Sequence, residues 1–239
     1  MKKFKMEVYM KSRAIEYLNK DPLLYMGMIE PINRNTAKVL YASTDGVLLK
    51  EQDSGAYMLA VENYEKGVQL IDSLTECKLL VLHQKYMVDY AKNKFDLNRT
   101  QYCFQAVYTS KDSIEIEQNL HIKKLEVNQL EVISEHYKML AKNDVEKLLK
   151  EGKLYGGYKA GNLVGFVGNH FEGSIGLLEV FPKYRKLGYG SALESFMINN
   201  NLKEGFTPFV QILEDNIKSI ALQKKLGLQV SRDTLIWVY

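Results

Sequence analysis

The stretch that most restricts what this chain can fold into runs from Leu178 to Leu193: Leu-Glu-Val-Phe-Pro-Lys-Tyr-Arg-Lys-Leu-Gly-Tyr-Gly-Ser-Ala-Leu. An apolar strand cannot continue through Pro182, which has no N–H for a ladder. Downstream, Tyr189, Ala192, Leu193, Phe196 and Met197 recur at helical spacing. Between the two lies a short basic loop that ends in two glycines. Gly188 and Gly190 allow the main chain to approach a ligand closely. The unpaired N–H groups of the helix's first turn, at the positive end of its dipole, suit a phosphate or pyrophosphate. Lys183, Arg185 and Lys186 add cationic charge at the same place. Read alone, the same residues also serve as a tight turn with solvated basic side chains.

Spacing separates these alternatives. A Rossmann fingerprint puts its first glycine directly after the strand and a third glycine three residues after the second, whereas here Pro182 to Leu187 intervene and Leu193 stands at the third place. The Gly-Lys-Ser/Thr of a Walker loop is absent. Val180, Pro182, Arg185, Gly188 and Gly190 instead follow the pattern V-x-P-x-x-R-x-x-G-x-G without a gap. Downstream, Asn216 opens an expected helix, the small Ser219 follows three later, and Gly227-Leu228 come eleven and twelve later. With these residues the chain resembles the GNAT superfamily of N-acetyltransferases over about residues 117–239.

The resemblance implies an α+β fold with a mixed, mostly antiparallel sheet flanked by helices, and acetyl-CoA as cofactor. It implies that the main chain of Leu178 and Val180 holds the pantetheine arm like an added strand. Lys186, Leu187, Gly188, Tyr189, Gly190 and Ser191 would wrap the pyrophosphate through main-chain N–H groups, with Arg185 beside it. Asn216, with Ser219, would contact the cofactor arm, a role compatible with capping its own helix.

Chemistry in this family is direct attack of an amine on the thioester, which needs a free amine, a stabilised oxyanion and a protonated leaving thiolate. Here the chain departs from the pattern: Gln223 stands where many members carry a Tyr acid, and Gln211 where some carry a Glu base. Neither amide transfers a proton, so other groups or water must, or the chain does little chemistry. Glu179 is the first candidate base, on the strand that flanks the thioester; strand alternation equally allows it to face solvent. His170, in the turn Asn169-His170-Phe171-Glu172-Gly173, is the second; a lone loop histidine is commonly surface. Tyr184 and Tyr189 suit packing, and no metal site is read from His83, His121 or His136.

The loop-like Thr109-Ser110-Lys111-Asp112-Ser113 sets an expected boundary between domains 1–114 and 115–239. Before it, two helices, a three-strand meander with turns at Ser43-Thr44-Asp45-Gly46 and Asp53-Ser54-Gly55, and then helix, strand, helix, strand are expected. After it come a strand, two helices, three antiparallel strands with a hairpin turn at Gly161-Asn162, then helix, strand, helix and a closing strand pair. Both halves share a rough order of elements. Ten of the sixteen tyrosines precede residue 110, compatible with an acceptor surface and with ordinary sheet packing. A divergent first domain before a GNAT half resembles glycine N-acyltransferase-like proteins, in which the first half is a GNAT fold without its cofactor loop. No R-x-x-G-x-G occurs before residue 110.

Charge and cysteine content bound the partners. With 32 basic against 29 acidic residues the net charge is +3, too little to recruit nucleic acid or an anionic membrane. No leader and no membrane span are expected, because the basic start leads into mixed polar residues and no long apolar run follows. Two cysteines, Cys77 and Cys103, form no scaffold, and a cytoplasmic setting is expected. The expected partner is a small-molecule amine or amino acid as acceptor, and a homodimer is compatible with exposed strands.

Overall fold

The computed structural model describes residues 2–118 and 120–239. The chain divides into two compact units. The first comprises residues up to Val107 together with Gln211–Gln223 and Gln229–Tyr239; the second comprises Tyr108–Val210 and Lys224–Leu228. The C-terminal segments thus pack within the first unit.

The first unit opens with helices α1 (Lys2–Leu18) and α2 (Met26–Asn33). Asp21 does cap here, its carboxylate accepting from the Leu24 N–H at 3.1 Å, but regular helix begins only at Met26. Strands β1 (Ala37–Ser43), β2 (Gly46–Glu51) and β3 (Tyr57–Val61) form the expected antiparallel meander. Helix α3 (Tyr64–Asp72) crosses to β4 (Leu80–Leu82), which pairs parallel with β3 through Met58↔Val81. Such a parallel step requires a crossover helix. Helix α4 (Val88–Phe95) and strand β5 (Thr100–Val107) follow. Leu48, Leu59, Leu70, Ile71, Leu80, Met87 and Ile236 are among the residues of the unit's core.

The second half of the chain repeats this order. It begins with β6 (His121–Lys124), α5 (Leu130–His136) and α6 (Lys142–Lys150). Three antiparallel strands follow, β7 (Leu154–Lys159), β8 (Asn162–Asn169) and β9 (Ile175–Val180). Helix α7 (Tyr189–Lys203) then crosses to β10 (Phe209–Leu213), which pairs parallel with β9 at Val210↔Ile175. Leu125, Ile133, Leu148, Phe166 and Leu177 belong to the core under α5 and α6. The chain closes with α8 (Ile217–Lys225) and β11 (Gln229–Val238). The series of three antiparallel strands, helix, parallel strand, helix, strand therefore occurs twice.

Two sequence expectations change. The hairpin turn lies one residue earlier, at Ala160-Gly161, with φ of +48° and +79°, as a tight hairpin twist demands. The expected closing strand pair is one strand, β11, lying between β4 and β5 with a register shift between Val230 and Thr234. The polar Ser231-Arg232-Asp233, which reads as a turn, is absorbed as a bulge. Ser231 Oγ accepts from the Gln105 N–H at 3.0 Å and donates to the Asp233 carbonyl at 2.7 Å.

Candidate functional site

In the second unit β9 ends at Val180, and a single 3-10 turn, Pro182–Tyr184, leads out of it. Proline at the first position suits this turn because its missing N–H has no partner to lose. Arg185 is extended, Lys186 is left-handed with φ +63°, and Gly188 is left-handed with φ +79° as the N-cap residue of α7. No side chain caps α7 at this end, so the N–H groups of its first turn stand free of a capping side chain. A Cβ on Gly188 would press on the Gln118 side chain at 3.1–3.4 Å, and one on Gly190 would meet Val180 Cγ2 at 3.7 Å and otherwise enter open space. Lys183, Arg185, Lys186 and Leu187 are exposed around this turn, and Tyr189 is buried.

The corresponding crossover in the first unit is closed. There α3 follows β3 almost directly, and Asn63 Oδ1 accepts from the Lys66 N–H at 2.9 Å, occupying the helix N-terminus. Val61, the last residue of β3, has its N–H on Gln84 Oε1 at 3.0 Å and its carbonyl on the Tyr86 hydroxyl at 3.4 Å. The two corresponding crossovers thus differ at the helix N-terminus: α3 carries a side-chain cap and α7 does not.

Each expected site residue has a definite place. Glu179 is half-buried and ion-paired to Arg185, whose guanidinium reaches its Oε1 at 2.8 Å and the Val180 carbonyl at 3.0 Å through Nε. Arg185 is therefore turned back along β9. His170 stands in the β8–β9 turn, its N–H on the Ser174 carbonyl at 2.8 Å and its ring directly over Gly176, where a Cβ would collide with it. Asn216 accepts from the Ser219 N–H at 3.1 Å and caps α8, within the first unit. Gln211 accepts the indole N–H of Trp237 at 2.7 Å, and Gln223 is buried.

The structure adds a feature that motif spacing did not bring out. Leu177 on β9 has φ +50°, and Leu177 and Leu178 together face the single residue Val167 on β8. This is a β-bulge at a leucine in the left-handed region, an arrangement that clusters at functional sites. Tyr137 packs against the core that holds Leu177, and burial pushes its phenol up to about 12. A legible trace was the Leu177-Leu178 doublet, which breaks the alternation of a half-buried strand; nothing marked Tyr137. Beside them the Glu172 carboxylate is buried and accepts the Ser174 hydroxyl.

Comparison with known proteins agrees with this architecture. Residues 154–238 match the FR47-like protein family. A Drosophila protein of known structure is 14% identical over 97% of this chain and 88% of its own, with a TM-score of 0.67. A GCN5-related N-acetyltransferase-like protein from Streptococcus suis is 15% identical over 97% of this chain and 99% of its own, with a TM-score of 0.60. A tandem GNAT protein from the clavulanic acid biosynthesis pathway is 11% identical over 97% of this chain and 93% of its own, with a TM-score of 0.50. No curated protein matches the chain in sequence. None of these structures is described as a glycine N-acyltransferase, so that part of the expected likeness rests on sequence alone. A doubled β-β-β-α-β-α-β series and the likeness to these solved structures together give this chain a GNAT-like fold, with an FR47-like segment over residues 154–238.

Proposed function

We propose that this chain is an acyl-CoA-dependent N-acetyltransferase that passes an acetyl group to the primary amine of a small molecule or amino acid. The observation that carries this reading is the uncapped N-terminus of α7 behind left-handed Lys186 and Gly188, set against the Asn63-capped α3 of the first unit. Free N–H groups at a helix N-terminus, with a glycine where a side chain would intrude, fit the pyrophosphate of CoA. The GNAT pattern then assigns the arm to Leu178 and Val180, the pyrophosphate to Lys186 through Ser191, and a further contact to Asn216 and Ser219.

Acetyl-CoA supplies an activated thioester to the amine. What the chain must add is orientation and the removal of one proton from the attacking nitrogen. Glu179 is the carboxylate closest in sequence to the arm, and its use as a base requires Arg185 to release it. Arg185 has a competing attraction in the pyrophosphate, so cofactor binding and release of Glu179 act in the same direction. His170 is the alternative base. A second reading, an acyl-CoA-binding module without turnover, is favoured by Gln211 being engaged with Trp237 and by the Glu179–Arg185 pair.

The deciding experiment is thermal stabilisation by acetyl-CoA, CoA and ATP in the wild type and in Gly188→Glu. Both CoA species should raise the melting temperature of the wild type and leave the variant unchanged. No shift with saturating acetyl-CoA sinks the acyl-CoA reading, and equal stabilisation by ATP turns it into a general phosphate site. Thiol release across a panel of primary amines separates the enzyme from the binding module.

A further inference from the structure

Within the second unit, the segment that precedes β6 is held on α7 by a single amide. Asn199 Oδ1 accepts from the Ile114 N–H at 2.7 Å, and Asn199 Nδ2 donates to the Ile114 carbonyl at 2.8 Å. One side chain thus satisfies both main-chain groups of a residue that lies in no strand. Beyond this clamp Ile114, Ile116 and Gln118 are half-buried while Glu115 and Glu117 are exposed, the alternation of an extended chain with one side down. At the far end the Gln118 side chain lies against Gly188, the N-cap residue of α7: a Cβ there would stand 3.1 Å from its amide nitrogen.

Length decides where Gln118 can stand. Gly188 and Asn199 are eleven residues apart on one helix, a rise of about 16 Å. The four extended steps from Ile114 to Gln118 cover about 13 Å, and the glutamine side chain supplies the remainder. The segment is therefore a taut strap, and its attachment at Asn199 fixes the position of Gln118. The Gln118 amide nevertheless caps nothing. No side chain bonds the first turn of α7, and none of the described residues is a hydrogen-bond partner of that amide. A donor group is thus carried to the uncapped start of α7 and left there without a partner among the described residues.

We propose that Gln118 is a further binding residue, whose side-chain N–H donates to the cofactor pyrophosphate, and that Asn199 is the positioning residue that holds the strap for it. This rests on the acyl-CoA reading above. Titration calorimetry of the full chain with ADP, which carries a pyrophosphate, and with acetyl-CoA tests it. Gln118→Ala should weaken both ligands by about tenfold, the loss of one hydrogen bond to a charged group. Gln118→Glu should weaken them further, and Gln118→Lys should restore or tighten them, because a bound anion responds to the sign of the charge beside it. A side chain that only packs would lose from both replacements. Asn199→Ala should cost about threefold in the wild type and nothing more in Gln118→Ala, since a missing side chain has no position to hold. Unchanged affinity in Gln118→Ala, or equal losses in Gln118→Glu and Gln118→Lys, overturns the proposal. So does tighter binding in Gln118→Ala, which would make the side chain a plug. A wild type that binds neither ligand refutes the acyl-CoA reading and this contact together, whereas a wild type that binds both, with variants that match it, refutes the contact alone.

Discussion

Acid should unfold the first unit through His83. This imidazole is 6% exposed just after β4, its Nδ1 lies 3.0 Å from the Leu59 carbonyl, and its ring meets Tyr25 edge-on at 5.1 Å. Nδ1 carries the proton that satisfies that carbonyl, while buried Nε2 has no hydrogen-bond partner among the described residues. A proton added there would be a buried charge with no acceptor. Desolvation accordingly holds the imidazole down to about 4, against the smaller opposing effects of the Leu59 carbonyl and Asp21. Because the folded value lies below the unfolded one, the unfolded chain takes up the proton first. The associated stability is complete above about pH 6.5 and is lost as pH falls towards 4. Between these limits the linkage is worth about 3 kcal/mol, of which about 2 kcal/mol is gone by about pH 5. Urea unfolding followed by Trp237, the single tryptophan and a residue of β11 in the same unit, measures this directly at pH 7.5 and 5.0. His83→Asn retains a donor for Leu59 and does not titrate. It should be less stable at both pH values but lose about 2 kcal/mol less than the wild type on acidification. Equal losses in the two proteins would refute the assignment.

Two further outcomes follow from the second unit. In Gly165→Ala the new Cβ would strike the Glu179 carbonyl oxygen and stand 3.0 Å from Val180 Cα, main-chain atoms that cannot rotate away. Overpacking of this kind costs about 1–3 kcal/mol, so the melting temperature should drop by roughly 2–12 °C; an unchanged value would show that β8 and β9 separate easily here. Glu179→Gln removes the ion pair with exposed Arg185 and should change stability by less than about 1 kcal/mol. If Glu179 is the base, this variant retains stabilisation by acetyl-CoA and loses about 100-fold or more in the rate of thiol release. An unchanged rate removes Glu179 from the chemistry and leaves His170.

Much of the site was legible because its determinants are local. Pro182 ends a strand, Gly188 adopts a left-handed cap, Tyr189 to Met197 present a helical stripe, and Asn216 caps the helix that follows; each depends on residues within a turn or two. The element order was legible for the same reason, since helix and strand periods are properties of short windows. Where local signals were ambiguous they misled: Ser231-Arg232-Asp233 looks like a turn, yet a hydrogen bond to Gln105 in β5 holds it inside one strand.

The amino-acid sequence by itself therefore determined most of the helices and strands, where the glycine-rich basic loop lies, and that the first half has no R-x-x-G-x-G. Tertiary structure alone decided that β11 lies between β4 and β5 in the first unit, because strand pairing is a contact between residues more than a hundred positions apart, as in Trp237↔Gln101. It also decided the left-handed turn of Leu177, whose side chain shares a core with Ile133 and Phe166. No leucine prefers that conformation alone. Burial in a shared core holds it there, and the bulge opposite Val167 follows.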